Sequence, residues 1–133
     1  MTQRLTRAGV ERAAAAIRSG CLAVMPTETV YGLAADATDP VAFGRIFEVK
    51  GRPVDHPLIV HLADPEDFDV WAPDAPDSAR QLAAAAGPGP LTVIVPRARR
   101  LPAAVAGGLD SVGLRVPAHP MARALIREAG VPV

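Results

Sequence analysis

Asp39-Pro40-Val41-Ala42-Phe43-Gly44-Arg45-Ile46-Phe47-Glu48-Val49-Lys50-Gly51, with Leu58-Ile59-Val60-His61-Leu62 close behind, decides the class of fold. An aspartate before a proline reads as an N-cap, followed by a residue whose fixed φ and missing N–H suit the first helical position. Ala42, Phe43, Ile46, Phe47 and Val49 then recur at spacings that build one apolar helix face. The helix is predicted to end near Lys50-Gly51. Leu58 to Leu62 is apolar on both faces apart from His61, the pattern of a strand covered on both sides. A helix feeding such a strand is the repeating unit of an α/β domain.

The flanking sequence continues the alternation. Thr6 to Ser19 is predicted helical, with Val10, Ala13, Ala14 and Ile17 on one face and Gly20 as its stop. Leu22 to Met25 reads as a short buried strand ended by Pro26. Thr29 to Leu33 leans extended through its β-branched and aromatic residues. From Asp64 to Asp77 there are six acids and no base, read as a solvated connection with a helical turn around Glu66 to Val70. Asp77 is expected to cap a helix running to Ala86, and Gly87-Pro88-Gly89-Pro90 makes a sharp break after it. Leu91 to Val95 reads as another buried strand, Val112 to Val116 as a further one, and Pro120 to Ala129 as a last helix closed by Gly130. Val131-Pro132-Val133 is an apolar restart resembling the beginning of one more strand, so the chain is expected to be incomplete at its C-terminal end. No internal repeat is evident.

The chain has 133 residues, a length that suits one domain. Lys plus Arg number 14 and Asp plus Glu 14, so a molecule-wide basic field for gripping nucleic acid is excluded, whereas a local patch such as Arg97, Arg99 and Arg100 is not. The apolar runs are far shorter than a bilayer-spanning helix. Met1 to Arg4 opens no apolar signal-like stretch, which sets the expectation of a cytoplasmic protein. The single cysteine, Cys21, has no internal disulfide partner and no CxxC pattern offers a zinc site.

Thirteen of the 14 basic residues are arginine, and the one lysine is Lys50 in Lys50-Gly51-Arg52-Pro53. A compact ammonium and a planar guanidinium, two residues apart at a helix end, suit one polyanion; they equally suit a helix C-terminus. Thr27, Glu28, Thr29 and Tyr31 follow a strand directly and offer hydroxyls and a carboxylate to a small polar ligand, or to their own backbone. Arg115 lies inside an apolar strand. Its guanidinium needs an internal carboxylate or a bound anion. His61 raises the same question within its strand.

Read jointly, these stretches resemble the YrdC-like family, the L-threonylcarbamoyl-AMP synthases. The matching pieces are Pro26-Thr27-Glu28-Thr29-Val30-Tyr31-Gly32-Leu33, Lys50-Gly51-Arg52-Pro53, His56-Pro57-Leu58-Ile59-Val60-His61, Pro88-Gly89-Pro90-Leu91-Thr92 and Gly113-Leu114-Arg115-Val116-Pro117-Ala118-His119-Pro120. They stand in family order from about Gly20 to the last residue. The resemblance implies a YrdC-like twisted mixed sheet with flanking helices and a concave basic cavity, residues 1–133 forming one such domain. The implied reaction joins L-threonine, bicarbonate and ATP into threonylcarbamoyl-AMP and pyrophosphate, with Mg²⁺ accompanying ATP and no protein metal ligand assigned. Carried over by position, Thr29, His61 and Arg115 resemble the threonine pocket, with Arg115 at the carboxylate. Lys50, Arg52, His56 and Ser111 resemble ATP contacts, Lys50 and Arg52 being the catalytic pair at the phosphates. His56 stands where the family often has asparagine. Thr27 and Tyr31 resemble wall residues.

The family's later Ser-x-Asn element is absent from the 133 residues, and little ATP turnover is expected of this chain alone. The implied product feeds threonylcarbamoylation of adenosine 37 in ANN-decoding tRNAs through downstream transfer proteins, with a tRNA or double-stranded RNA contact and no membrane. Two other readings compete. One is an RNA-binding YrdC-like module without synthase activity, opposed by zero net charge and few aromatics for stacking. The other is a carbamoyltransferase-type module, opposed by the lack of cysteine-rich zinc elements.

Overall fold

The computed structural model describes residues 7–26, 31–51 and 57–133. Its elements in chain order are α1 (Arg7–Arg18), β1 (Ala23–Pro26), β2 (Tyr31–Ala34), α2 (Pro40–Lys50), β3 (Ile59–His61), α3 (Asp67–Trp71), α4 (Asp77–Ala86), β4 (Val93–Pro96), a 3₁₀ turn (Ala103–Ala106), β5 (Ser111–Arg115) and α5 (Pro120–Ala129).

Local chemistry sets the ends of the helices. The Asp39 carboxylate accepts from the Val41 and Ala42 N–H groups, Pro40 opens α2, and Gly51 closes it with φ 64°. Helix α5 repeats the device. His119 Nδ1 accepts from the Met121 N–H at 3.1 Å, Pro120 opens the helix, and Gly130 ends it with φ 73°. A β-carbon would strain the backbone at either glycine.

Strands β3 and β5 run parallel, and β4 runs antiparallel to β5, giving a mixed three-stranded sheet in the order β3-β5-β4. Strands β1 and β2 pair antiparallel in a second sheet. One apolar cluster packs Phe43, Ile46 and Phe47 of α2, with Phe68 and Trp71 of α3, onto Val60, Val93, Val95, Val112 and Leu114. The other joins α1 and α5 to Met25 and Ala34 through Ala14, Ile17, Leu125 and Ile126. The expected mixed sheet with flanking helices is therefore present.

Four expectations need correction. Ile59 in β3 is 48% exposed and Ile94 in β4 is 74% exposed, so neither strand is covered on both faces. A run of consecutive apolar residues arises equally when a one-sided strand carries apolar groups on its open face. Met25 is buried in β1, but Val24 is exposed. Val49 is exposed, whereas Ala42, Phe43, Ile46 and Phe47 of the same helix are buried, so the covered stripe of α2 is narrower than the apolar one. Asp77 is the first helical residue of α4 rather than its cap; Pro76 holds that position without a side-chain bond. The Asp77 carboxylate still complements the helix N-terminus.

Candidate functional site

The parallel register of β3 and β5 places His61 directly opposite Arg115. Alternation along each strand puts both on the sheet face opposite Val60 and Leu114. Both line a cavity of about 370 Å³, where they meet Lys50 from the end of α2. These three are the cavity's charged or titratable residues among the described ones; its other walls are mostly apolar, including Leu33, Phe43, Ile46 and Leu58. Three residues from separate elements, predicted to act on one substrate set, are thus brought together.

Arg115 is buried, and its Nε donates to the Gly89 carbonyl at 3.1 Å. Burial lowers its pKa, but a guanidinium stays charged at any ordinary pH. The Gly89 N–H in turn donates to the Val116 carbonyl at 2.8 Å, so Gly89 holds both the Arg115 side chain and the main chain of the next residue. Gly87 cannot carry a side chain there, because a β-carbon would lie 2.7 Å from the Ala83 carbonyl oxygen. In the sequence this turn reads as a break between elements and nothing more. The signal that a carbonyl had to be supplied was the arginine inside an apolar strand.

His61 Nδ1 lies 3.2 Å from the Ile59 carbonyl oxygen. A carbonyl only accepts, so Nδ1 carries the proton and Nε2 of the neutral ring is an acceptor. Burial pushes the imidazole pKa down, which favours that neutral form. The His61 main chain exchanges both hydrogen bonds with Val133, at 2.6 and 3.1 Å, the pairing of an antiparallel ladder. The predicted strand start at Val131 to Val133 is therefore a backbone clamp on a site residue, and Val133 also lines the cavity.

Lys50 is exposed at the cavity and makes no hydrogen bond or ion pair among the described residues. Arginines do the opposite. Arg45 donates to the Gly20 carbonyl at 2.9 Å, Arg80 to the Pro73 carbonyl at 2.8 Å, Arg97 to the Leu101 carbonyl at 2.7 Å and Arg123 to the Ala63 carbonyl at 2.9 Å. Of the predicted basic cluster, Arg97 is thus tied to the main chain, and Arg100 stacks 4.2 Å over Trp71. A planar fork suits loop-holding, and the one ammonium is left for the cavity.

Ser111 begins β5 opposite Pro96. It shares the open face with Arg115, four residues or roughly 13 Å along the strand, and does not line the 370 Å³ cavity. Thr27, Thr29, Arg52 and His56 lie outside the described residues; Tyr31 is described only as the first residue of β2. Among the described residues no group of three or more His, Cys, Asp or Glu is placed to hold a metal ion. No helix among them is long and apolar enough to cross a membrane.

Against this geometry stand the likenesses to known proteins. The Sua5/YciO/YrdC family model, described as telomere recombination, matches residues 15–133. A threonylcarbamoyl-AMP synthase of Pyrococcus abyssi is 46% identical over 131 residues, covering 98% of this chain and 38% of that protein. One of Bacillus subtilis is 45% identical over 125 residues, covering 93% of this chain and 36% of that protein. The chain thus spans less than two-fifths of either relative's length. The crystal structure of P. abyssi Sua5 complexed with L-threonine superimposes with a TM-score of 0.91 at 45% identity, over 99% of this chain and 39% of that one.

Proposed function

The chain belongs to the Sua5/YciO/YrdC family, and from that premise we propose that it carries the substrate-binding part of an L-threonylcarbamoyl-AMP synthase. The observation that carries this reading is the register pairing of His61 with Arg115 at a cavity that Lys50 also lines. An α-amino acid presents a carboxylate and an ammonium on one carbon, within reach of two groups on adjacent strands. Arg115 offers a fixed fork to the first, and the Nε2 lone pair of a neutral His61 accepts from the second. Thr29 completes that pocket. Lys50 and Arg52 take the triphosphate, with His56 and Ser111 on the rest of ATP, and Mg²⁺ arrives on the nucleotide as part of the substrate.

Threonine's amine, carboxylated by bicarbonate with loss of water, becomes a carbamate whose oxygen attacks the α-phosphorus. Pyrophosphate leaves and threonylcarbamoyl-AMP remains. The protein's work is positioning, together with cationic stabilisation of charge building on the leaving group. The adenylate supplies threonylcarbamoylation of adenosine 37 in tRNA through downstream transfer proteins, in the cytoplasm. The likeness to relatives named threonylcarbamoyl-AMP synthase and to a fold crystallised with L-threonine supports this over an RNA-binding or carbamoyltransferase role.

The test is pyrophosphate release from ATP in the presence of threonine and bicarbonate, beside a Lys50→Ala variant. Release that requires threonine and falls in the variant is expected, even at low turnover. Threonine-independent ATP hydrolysis, or no binding of either substrate, overturns the reading.

A further inference from the structure

Asp64 stands three residues after His61, and Arg127 six residues before Val133. The two stretches are joined at both ends. At one end the main chains of His61 and Val133 exchange their pair of hydrogen bonds. At the other, Arg127 grips the Asp64 carboxylate as a fork, with Nε donating to Oδ2 at 3.0 Å and Nη2 to Oδ1. Arg123 sits one turn earlier on the same face of α5. Its Nη2 donates to Asp64 Oδ1 at 2.8 Å and its Nε to the Ala63 carbonyl at 2.9 Å. Covalent chain and polar links thus close a ring of which His61 is a member.

We propose that Asp64 is a positioning residue for His61, acting through Arg127, the end of α5 and the Val133 main chain; this rests on the reading of His61 as a threonine ligand. The ring is hollow, which is why the polar links matter. Leu62, Ala63, Asp64, Gly130, Val131 and Pro132 line a second cavity, of about 300 Å³, whereas Val133 lines the larger one. The apolar cluster of α1 and α5 reaches Ala63 and Val133. Such contacts are non-directional, however, and an unfilled space transmits no packing force. The directional spacing between the end of β3 and the end of α5 is therefore left to the carboxylate and its two arginines. Ordinary surface pairs contribute little, but two-pronged arginine geometry and a shared carboxylate are the exceptions. Gly130 follows Arg127 by three residues, so a shift of Arg127 is carried directly into the segment that holds the His61 backbone.

The test titrates L-threonine calorimetrically into the 133-residue chain, Asp64→Asn, Arg127→Gln, the double variant and Asp69→Asn. The last breaks the Asp69–Arg80 pair, a single contact at 3.0 Å, and controls for the loss of an ion pair elsewhere. Asp64→Asn is expected to bind threonine about fivefold more weakly, and Asp69→Asn to match the parent. Arg127→Gln should weaken binding similarly and the double variant no further, because both break one link. Amide hydrogen exchange separates positioning from general loosening. The His61 and Val133 amides should exchange about tenfold faster in Asp64→Asn. The Leu62 amide, which donates to the Arg115 carbonyl at 2.8 Å, should not change. Parent-like threonine affinity in Asp64→Asn, or equal acceleration at Leu62 and His61, overturns the positioning role and leaves the threonine pocket standing. A parent chain that binds no threonine removes the pocket and the role together.

Discussion

The two faces of the β3-β5-β4 sheet are built from the same three strands and carry opposite kinds of residue. The inner face presents Val60, Leu114, Val93, Val112 and Val95, all at or below 9% exposure. The open face presents His61 and Arg115 in one row, Ile59, Gly113 and Ile94 in the next, and Ser111 with Pro96 in the last. Shifting any strand by one residue would exchange the two sets. The apolar core therefore does more than stabilise the domain, because it fixes the register that aligns the candidate ligand groups.

Substitution on the inner face should have the largest effect on stability. Leu114 is 1% exposed at the centre of the sheet, and Leu114→Ala is expected to lower unfolding free energy by about 3 kcal/mol. Ile94→Ala, one step round on the neighbouring strand, should cost less than about 0.5 kcal/mol. Urea denaturation of both variants measures the contrast. Comparable losses would mean that the open face is covered and that the two faces are not distinct.

Arg115 belongs to the open face yet is buried, so it should couple both properties. Arg115→Lys keeps the charge but loses the Nε–H bond to the Gly89 carbonyl, which should cost about 1–2 kcal/mol. It also replaces a two-pronged carboxylate contact with a point charge. Threonine affinity, measured by titration, should fall further than stability alone explains. Parent-like affinity in this variant would remove Arg115 from the carboxylate.

What could be read from sequence depends on the range of the interaction concerned. Asp39-Pro40, Gly51, Pro120 and Gly130 act within one helical turn, and those helix ends were predicted closely. The acidic helical turn at α3 was legible for the same reason. The 3₁₀ turn at Ala103–Ala106 was missed, since four small apolar residues carry no periodic signal. Strand exposure at Ile59 and Ile94 was misread, because which side of a strand is covered depends on what packs there. Within the candidate site, residue types pointed to Arg115, His61 and Lys50, but the register pairing His61 with Arg115 joins positions more than fifty residues apart. Likewise, nothing local announces that Val133 would hold the His61 backbone.

Gly113 offers a finer test of how the open face is kept bare. Gly113→Ala places a methyl 2.9 Å from Thr92 Cγ2, an overpacking expected to cost about 1 kcal/mol. Thr92→Ser removes that methyl and keeps the hydroxyl. The double variant should regain most of the loss, giving a coupling energy of opposite sign in a double-mutant cycle. Additive effects would show that the threonine methyl is not what excludes a side chain.

The smallest expected effects come from pH, and they separate an open-face group from a structural one. Burial lowers the His61 pKa below its ordinary value of 6.5. As pH falls below about 6.5, the unfolded chain therefore takes up more protons at this site than the folded one, and stability declines toward the lower folded value. His61→Gln should flatten that window. Asp64 lies after β3, where hydrogen bonds from Arg127 and then Arg123 hold its pKa at about 2. Its contribution is present above the ordinary carboxylate pKa of about 4 and is lost as pH falls through about 2. Because this carboxylate is partly exposed, solvent screening keeps the amplitude small. Asp64→Asn should flatten only the more acidic window. Melting temperatures from pH 8 to pH 2 would resolve the two steps, and a His61 step that survives His61→Gln would assign it elsewhere.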